Sequence, residues 1–327
     1  MKKIISMVLC IGLLLSATLC AQAAVTPNYS LTSNYSTTTQ GANGWYYQYR
    51  DGGTYSDYKD LTKETEGTRW VVYTASGAVQ NFVTAIGEMQ AKGSTVDNKT
   101  AFVWKAPYSG KINLTANGNV RMVYNSGQKA PIEAGIAHTN SNYELVDYQN
   151  EYDSDTVKTN DNYIWWYSIP ANDKVGIEPY NIDIEVSAGD MLFFEMGSIT
   201  ATAATMVWDP VIKYLQAAQY TAGGAGVTEI KDIDEGSAVS IELYNDTPLS
   251  ASVYFMVYDA LNRLRDIDIV TGSETSGSRI NTVLTMPAFD ANEAETSYEG
   301  WKIKTFAITN SIDRFYPVNI SDKLILN

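Results

Sequence analysis

The run NIDIEVSAGDMLFFEM, Asn181–Met196, decides the fold class. Ile182, Ile184 and Val186 alternate with Asp183, Glu185 and Ser187. Successive side chains of a strand point to opposite faces, so this run buries one face and wets the other. Ala188-Gly189-Asp190 supplies a turn, and a second apolar run resumes at Met191. A half-wet strand marks an antiparallel sheet, because a parallel sheet buried on both faces reads as a continuous apolar run.

The pattern extends outward from there. KINLTANGNVRMVY (Lys111–Tyr124) predicts two strands paired through an Asn117-Gly118 hairpin turn. NFVTAIGEMQA (Asn81–Ala91) spaces Phe82, Ile86 and Met89 either as a short helix or as a strand followed by a loop. Nothing reads strongly as a long amphipathic helix. The composition changes after Tyr214: AAQYTAGGAGV (Ala217–Val227) holds three glycines and no charge and reads as a linker. Beyond it SAVSIELYND (Ser237–Asp246), ASVYFMVYDA (Ala251–Ala260) and GWKIKTFAIT (Gly300–Thr309) are strand-like, whereas Asp290–Glu299 reads as an acidic loop. A chain of 327 residues suits two cores better than one. The expected architecture is all-β. A jelly-roll-like β-sandwich spans residues 25–216, a linker 217–227, and an immunoglobulin-like β-sandwich 228–327.

Met1–Ala24 reads as a secretory leader. Lys2 and Lys3 form its positive end, Ile4 to about Leu19 its apolar core, and Ala21-Gln22-Ala23 a small-x-small cleavage pattern. A membrane anchor is the competing reading, but the apolar run is short and ends at the processing pattern. Both cysteines, Cys10 and Cys20, lie inside the leader, and the bulky Leu19 before Cys20 does not suit lipidation. The mature chain is then expected to have no disulfide, thiolate metal site or cysteine nucleophile, which fits a bacterial exporter. It is expected to be secreted, extracellular or at the cell surface, with no membrane insertion once the leader is gone. Without Lys2 and Lys3 there are 21 basic and 37 acidic residues, a net charge of −16, and no basic run. Nucleic acid and anionic membrane surfaces need a cationic face and are poor partners for such a chain.

QGANGWYYQYRDGG (Gln40–Gly53) resembles the opening of a β-sandwich module of secreted bacterial polysaccharide-degrading proteins. FVWKAPYSGKINLTANGNV (Phe102–Val120) resembles the module's next signature, a Trp-x-Ala-Pro-x-Ser-Gly run leading into a strand. IEVSAGDMLFFEM (Ile184–Met196) resembles its strand, Ala-Gly-Asp turn and strand, and MVWDPVIKY (Met206–Tyr214) its closing Trp-Asp-Pro strand. Order and spacing agree over about residues 37–214. The tail, with Lys304-Thr305-Phe306 before an aliphatic-Asp segment and Pro317, is similar to an immunoglobulin-like module of clostridial surface proteins. The tryptophan usual after that phenylalanine is missing here. The resemblance implies an accessory, carbohydrate-binding-like protein and transfers no catalytic motif. It also makes Gln40–Leu61 an opening strand, which sends Trp45 and Tyr47 toward the core and leaves Tyr46, Gln48 and Arg50 for a ligand.

The chemistry-bearing residues are few. His138 is the only histidine, and no G-x-S-x-G elbow accompanies it, so a structural role is expected. A zinc site wants several His or Cys ligands. Paired carboxylates for glycoside chemistry would come from Glu133, Glu185, Asp190, Glu195 and Asp209, with Asp190 and Asp209 better read as turn residues. EYDSDTVKTNDN (Glu151–Asn162) concentrates Asp153, Asp155 and Asp161, either as a solvated acidic loop or as a structural calcium site. NDNYIWWYSIP (Asn160–Pro170) is dense in rings. As one strand it would bury Ile164 and Trp166 and present Tyr163, Trp165 and Tyr167 as a sugar-stacking platform. Trp104, Trp208 and Trp301 are expected in cores. The functional expectation is a secreted, non-catalytic accessory protein that binds polysaccharide or cell-wall glycan through its N-terminal β-sandwich. A structural or protein-docking surface subunit and a glycoside-active enzyme are the alternatives.

Overall fold

The computed structural model describes residues 28–92, 98–123, 132–146, 163–170, 175–177, 180–198, 204–222, 225–227, 238–246, 249–274, 279–285, 300–309 and 324–326. The chain divides into a first unit, Pro27–Tyr214, and a second that holds Leu215–Asn327. Both are built of antiparallel strands, and no described helix is long and apolar enough to cross a membrane.

The described strands of the first unit are β1 (Asn28–Ser30), β2 (Trp45–Asp51), β3 (Lys59–Asp60), β4 (Thr62–Lys63), β5 (Trp70–Tyr73), β6 (Val79–Val83), β7 (Glu88–Ala91), β8 (Asn98–Lys105), β9 (Gly110–Ala116), β10 (Arg121–Met122), β11 (Ile132–Thr139), β12 (Trp165–Ile169), β13 (Ile182–Val186), β14 (Met191–Ser198), β15 (Ala204–Val207) and β16 (Pro210–Tyr214). They form sheet I, ordered β12-β11-β14-β8-β2-β3, sheet II, β1-β16-β9-β13, and sheet III, β10-β15-β7-β6-β5-β4.

Alternation sends Trp45 and Tyr47 of β2, Phe102 and Trp104 of β8, and Leu192, Phe194 and Met196 of β14 to one face of sheet I, all fully buried. Tyr29 and Tyr214 of sheet II meet Trp104 there at 5.3 and 6.0 Å between ring centres. Trp70 of sheet III stacks on Tyr47 at 5.5 Å, and Trp208 stands edge-on to Phe194 at 5.6 Å. The first unit is thus a sandwich with sheet I on one side and sheets II and III on the other. Each buried tryptophan removes roughly 150–250 Å² from water, a gross gain of about 4–6 kcal/mol before ordering entropy. Alternation holds in β13 as well: Ile182, Ile184 and Val186 are buried, while Asp183 and Glu185 are exposed.

Three local expectations change. Asn117-Gly118 does not join a hairpin, because β9 lies in sheet II whereas β10 lies in sheet III. Gly118 turns the chain at φ +77°, and the Asn117 amide is held by Asp209 of the facing corner (backbone N to O 2.9 Å, Nδ2 to Oδ2 2.9 Å). Residues 81–91 form neither a helix nor a strand followed by a loop: β6 and β7 pair across the Thr84–Gly87 turn, so Glu88–Ala91 is strand as well. The stretch read as a linker is strand over its described residues, 217–222 and 225–227.

That stretch opens the second unit, whose described strands are β17 (Gln216–Ala222), β18 (Ala225–Val227), β19 (Ala238–Asn245), β20 (Leu249–Tyr258), β21 (Leu264–Glu274), β22 (Arg279–Thr285), β23 (Trp301–Thr309) and β24 (Leu324–Leu326). β17 and β18 pair antiparallel, with Ala222 opposite Ala225 and Tyr220 opposite Val227. The sheets are ordered β18-β17-β19-β22 and β21-β20-β23-β24. Trp301 is fully buried with the Arg265 guanidinium 5.5 Å above its ring, and buried Asp259 ties the β20–β21 turn to Arg263 at 2.6 Å. β21 is an edge strand. The N–H groups of Ile267 and Ile269, two residues apart and so on one side of it, donate to the Asp266 and Asp268 carboxylates at 2.9 Å each. Leu264, Ile267 and Ile269 are exposed along it, and Leu261 is exposed in the turn before it.

Candidate functional site

The outer face of sheet I gathers most of the chemistry. β2 turns Tyr46, Gln48 and Arg50 outward, opposite to its buried Trp45 and Tyr47. In register beside them stand Val103, Ala101 and Lys99 of β8, then Phe193, Glu195 and Gly197 of β14, then Ala137, Gly135 and Glu133 of β11. Trp166 of β12 pairs with Gly135 and completes the row.

The middle of this face is made of small residues, and loops fill it with rings. Gly52 and Gly53, both at φ +81°, turn the chain after β2. Asp57 then accepts the Thr54 N–H at 2.7 Å and closes a short helical turn that lays Tyr55 and Tyr58 onto Phe193, each at 5.0 Å between ring centres. Tyr46 and Tyr163 pack against the same cluster of Ala101, Val103, Ala137 and Met191. Gly135 is required there, since a Cβ would stand 2.7 Å from two ring carbons of Tyr163.

Glu195 lies beneath these rings with its side chain 1% exposed. Its Oε2 accepts from the Tyr58 hydroxyl at 2.5 Å, and its Oε1 accepts from the Tyr163 hydroxyl. Arg50 Nη2 and Lys99 Nζ lie 3.7 and 3.9 Å from Oε1. Lys99 Nζ is also 3.5 Å from Glu133 Oε2. Arg50 Nη1 donates to the Gly53 carbonyl at 2.8 Å, and the guanidinium sits 5.2 and 5.3 Å from the Tyr55 and Tyr58 ring centres. Gln48 Nε2 donates to Asp60 Oδ1 at 2.9 Å. Burial, and after it the Glu195 charge, hold the Tyr55, Tyr58 and Tyr163 hydroxyls well above the usual tyrosine range. Tyr58 and Tyr163 therefore stay protonated and donate to the carboxylate. Burial works against the Arg50 charge, but the neighbouring Glu195 carboxylate favours it, and the net shift of its pKa is upward.

The aromatic platform does not form as expected. Strand pairing begins at Trp165, opposite Ile136, and Tyr163 precedes it across a bend at Ile164, so the two lose their common parity. Tyr163 stays on the outer face. Trp165 turns inward to Tyr180 at 5.0 Å and Trp208 at 5.6 Å. Tyr167, opposite Ala134, shares that inward parity, and Trp166 faces out instead. Tyr46, Gln48, Arg50 and Tyr163 come together; Trp165 and Tyr167 leave the set. Glu195, Lys99, Tyr55 and Tyr58 join it. The sequence signal for Glu195 is an ionisable side chain inside the apolar run MLFFEM, because a buried charge demands partners.

The other acids are engaged elsewhere. Asp190 accepts the Ser187 N–H at 2.9 Å and lies 2.8 Å from His138 Nε2, a buried pair. Asp209 holds the Thr32 N–H and hydroxyl at 3.0 and 2.8 Å. Glu185 lies on the wet face of β13. Asp153, Asp155 and Asp161 lie outside the described residues, among which no group of three or more His, Cys, Asp or Glu could hold a metal ion.

No family model matches the chain, and no curated protein matches it in sequence. Among solved structures it is similar to the adhesin domain of Epf from Streptococcus pyogenes, at 10% identity and TM-score 0.32, covering 90% of this chain and 95% of that one. It is also similar to a beta-glucuronidase from Bacteroides uniformis, at 9% identity and TM-score 0.27, covering 88% of this chain and 31% of that one. A GH2 beta-galacturonidase from Eisenbergiella tayi matches at 9% identity and TM-score 0.24, covering 90% and 43%. The chain thus spans less than half the length of either glycosidase, and the reading of the site rests on its own geometry.

Proposed function

We propose that the chain is a secreted, non-catalytic accessory protein that binds polysaccharide or cell-wall glycan through the outer face of sheet I. The observation that carries this reading is the pair of half-buried rings, Tyr46 and Tyr163, on one small-residue face beside Gln48, Arg50 and Glu133. A sugar offers C–H faces that lie on such rings and hydroxyls that need polar partners within reach. The Lys-Lys leader with its Ala-Gln-Ala pattern supports export. The burial of Glu195 beneath two tyrosines and its link through Lys99 to Glu133 support the non-catalytic reading, since glycoside hydrolysis needs carboxylates that reach the substrate. The second unit serves as an immunoglobulin-like spacer. Its strand order, in which β19 to β20 and β22 to β23 change sheet, supports that assignment.

A protein-docking role is the second reading, and the exposed Leu261, Leu264, Ile267 and Ile269 of the second unit favour it. Pull-down on a panel of insoluble polysaccharides separates the two. The full chain is expected to be retained on at least one, and Tyr46→Ala to weaken that retention by about three- to tenfold, the worth of one stacked ring. A chain that passes through the whole panel unretained would sink the glycan reading.

A further inference from the structure

Resting on that glycan reading, we infer that the outer face of sheet I takes a glycan in which an acidic residue, carrying a carboxylate or a sulfate, is set among neutral ones, and that Lys105 reads the anion. Lys105 ends β8 and is exposed, with the outward parity of Val103. It stands in register beside Met191 of β14 and has no ion-pair partner among the described residues. Arg50 and Lys99, by contrast, are 12% and 8% exposed and lie against Glu195 and Glu133.

Tyr46 brings a sugar to the Lys105 end. It pairs with Val103, so Lys105 is its diagonal neighbour across the β2–β8 ladder, about 7–8 Å away and within reach of a long side chain. The Tyr46 ring lies over the turn into β2, since a Cβ on Gly41 would stand 2.8 Å from its Cζ and its hydroxyl oxygen. That turn is beside Lys105, whose carbonyl oxygen would be 2.9 Å from a Cβ on Gly44. The Tyr46 hydroxyl also has no hydrogen-bond partner among the described residues. A sugar stacked on this ring therefore meets an ammonium and a hydroxyl donor together, which suit an anionic oxygen better than a neutral one.

The acids of the face stand apart from this end. Glu133 is in register with Lys99 through Gly197, and Lys105 lies six residues further along β8, about 20 Å away. That distance exceeds the Debye length of about 8 Å at physiological salt. Asp190 is turned to His138 and the Ser187 N–H, and Glu144 to the Asn140 side-chain amide. The net charge of −14 disfavours a densely anionic polymer, so a single lysine suits an isolated acidic residue.

Affinity electrophoresis of the full chain through gels holding two matched pairs of polymers tests this. One pair is partly and fully methyl-esterified polygalacturonate; the other is lightly sulfated and plain dextran. Retention about two- to fivefold stronger on the charged member of at least one pair is expected, the worth of one exposed ion pair. A preference in the first pair assigns a carboxylate, and one in the second a sulfate. The preference should shrink at about 1 M salt, where the Debye length falls to about 3 Å. Lys105→Gln is expected to abolish it and Lys105→Arg to keep it, and the exposure of Lys105 leaves the core untouched by either. A parent chain retained no better by the charged member of either pair, or a preference that survives Lys105→Gln, would overturn the inference while leaving the glycan reading intact. Retention by none of the four polymers would overturn it too, and the glycan reading would then stand or fall on the insoluble panel.

Discussion

Glu195 shows how one buried carboxylate organises a surface. It lies in an apolar strand run, and the fold answers it with two tyrosine hydroxyls, a guanidinium and an ammonium. Glu195→Ala leaves Arg50 and Lys99 poorly hydrated without their shared anion, so a loss of about 3–5 kcal/mol is expected in urea denaturation. The atoms nearest to a Cβ on Gly135 are those of the Tyr163 ring. Gly135→Ala drives a methyl group into the Tyr163 ring and is expected to cost about 1–3 kcal/mol. In a Tyr163→Ala background the same substitution should cost no more than about 0.5 kcal/mol, since the clashing partner is gone. Equal penalties in the two backgrounds would show that Gly135 matters for some other reason. At this scale half of the site was legible. Parity within β2 placed Tyr46, Gln48 and Arg50 correctly. Parity misled in YIWWY, because the strand starts two residues later than the aromatic run does.

At the scale of elements, alternation identified strands well and their partners poorly. IDIEV and WYYQY carry their burial pattern in the sequence, since it is a property of one strand against one core. The partner of a strand depends on chain hundreds of ångströms away along its contour. Asn117-Gly118 has the chemistry of a hairpin turn and here carries the chain from one sheet to another, because Asp209 fixes the corner from far along the chain. The uncharged, small-residue run after Tyr214 shows the converse ambiguity, a linker-like composition whose residues 217–222 and 225–227 are paired strand. The β21 edge carries its own protection. Asp266 and Asp268 occupy two backbone donors that would otherwise be offered to another strand, on an element with exposed isoleucines. Asp266→Ala combined with Asp268→Ala is expected to raise self-association above that of the parent, read by light scattering at matched concentration. An unchanged mass would show that the edge is guarded by other means.

For the molecule as a whole, the first unit keeps an unusual number of tyrosines away from water. Burial raises the pKa of Tyr35, Tyr55, Tyr58, Tyr163 and Tyr180, and lifts Tyr47 to about 12. In the unfolded chain these hydroxyls titrate near about 10. The stability they contribute is complete below that value. As the pH rises past it, the unfolded state releases protons that the folded state retains, so stability falls toward the folded values. Alkaline titration is therefore expected to show the phenolate absorbance of these rings appearing together with loss of the fold. A smooth titration of all tyrosines near the ordinary value, with the fold intact, would contradict it. The all-β class and two-unit division were readable because they follow from alternation and length; the sheet order was not, because distant pairings set it. One such pairing has a constructive consequence. β1 lies in register beside β16, Tyr29 opposite Ile212, so entry to and exit from the first unit are neighbours about 5 Å apart. A body closed in this way can be spliced into a loop of a host protein, or have its ends joined and reopened elsewhere, with its sandwich undisturbed.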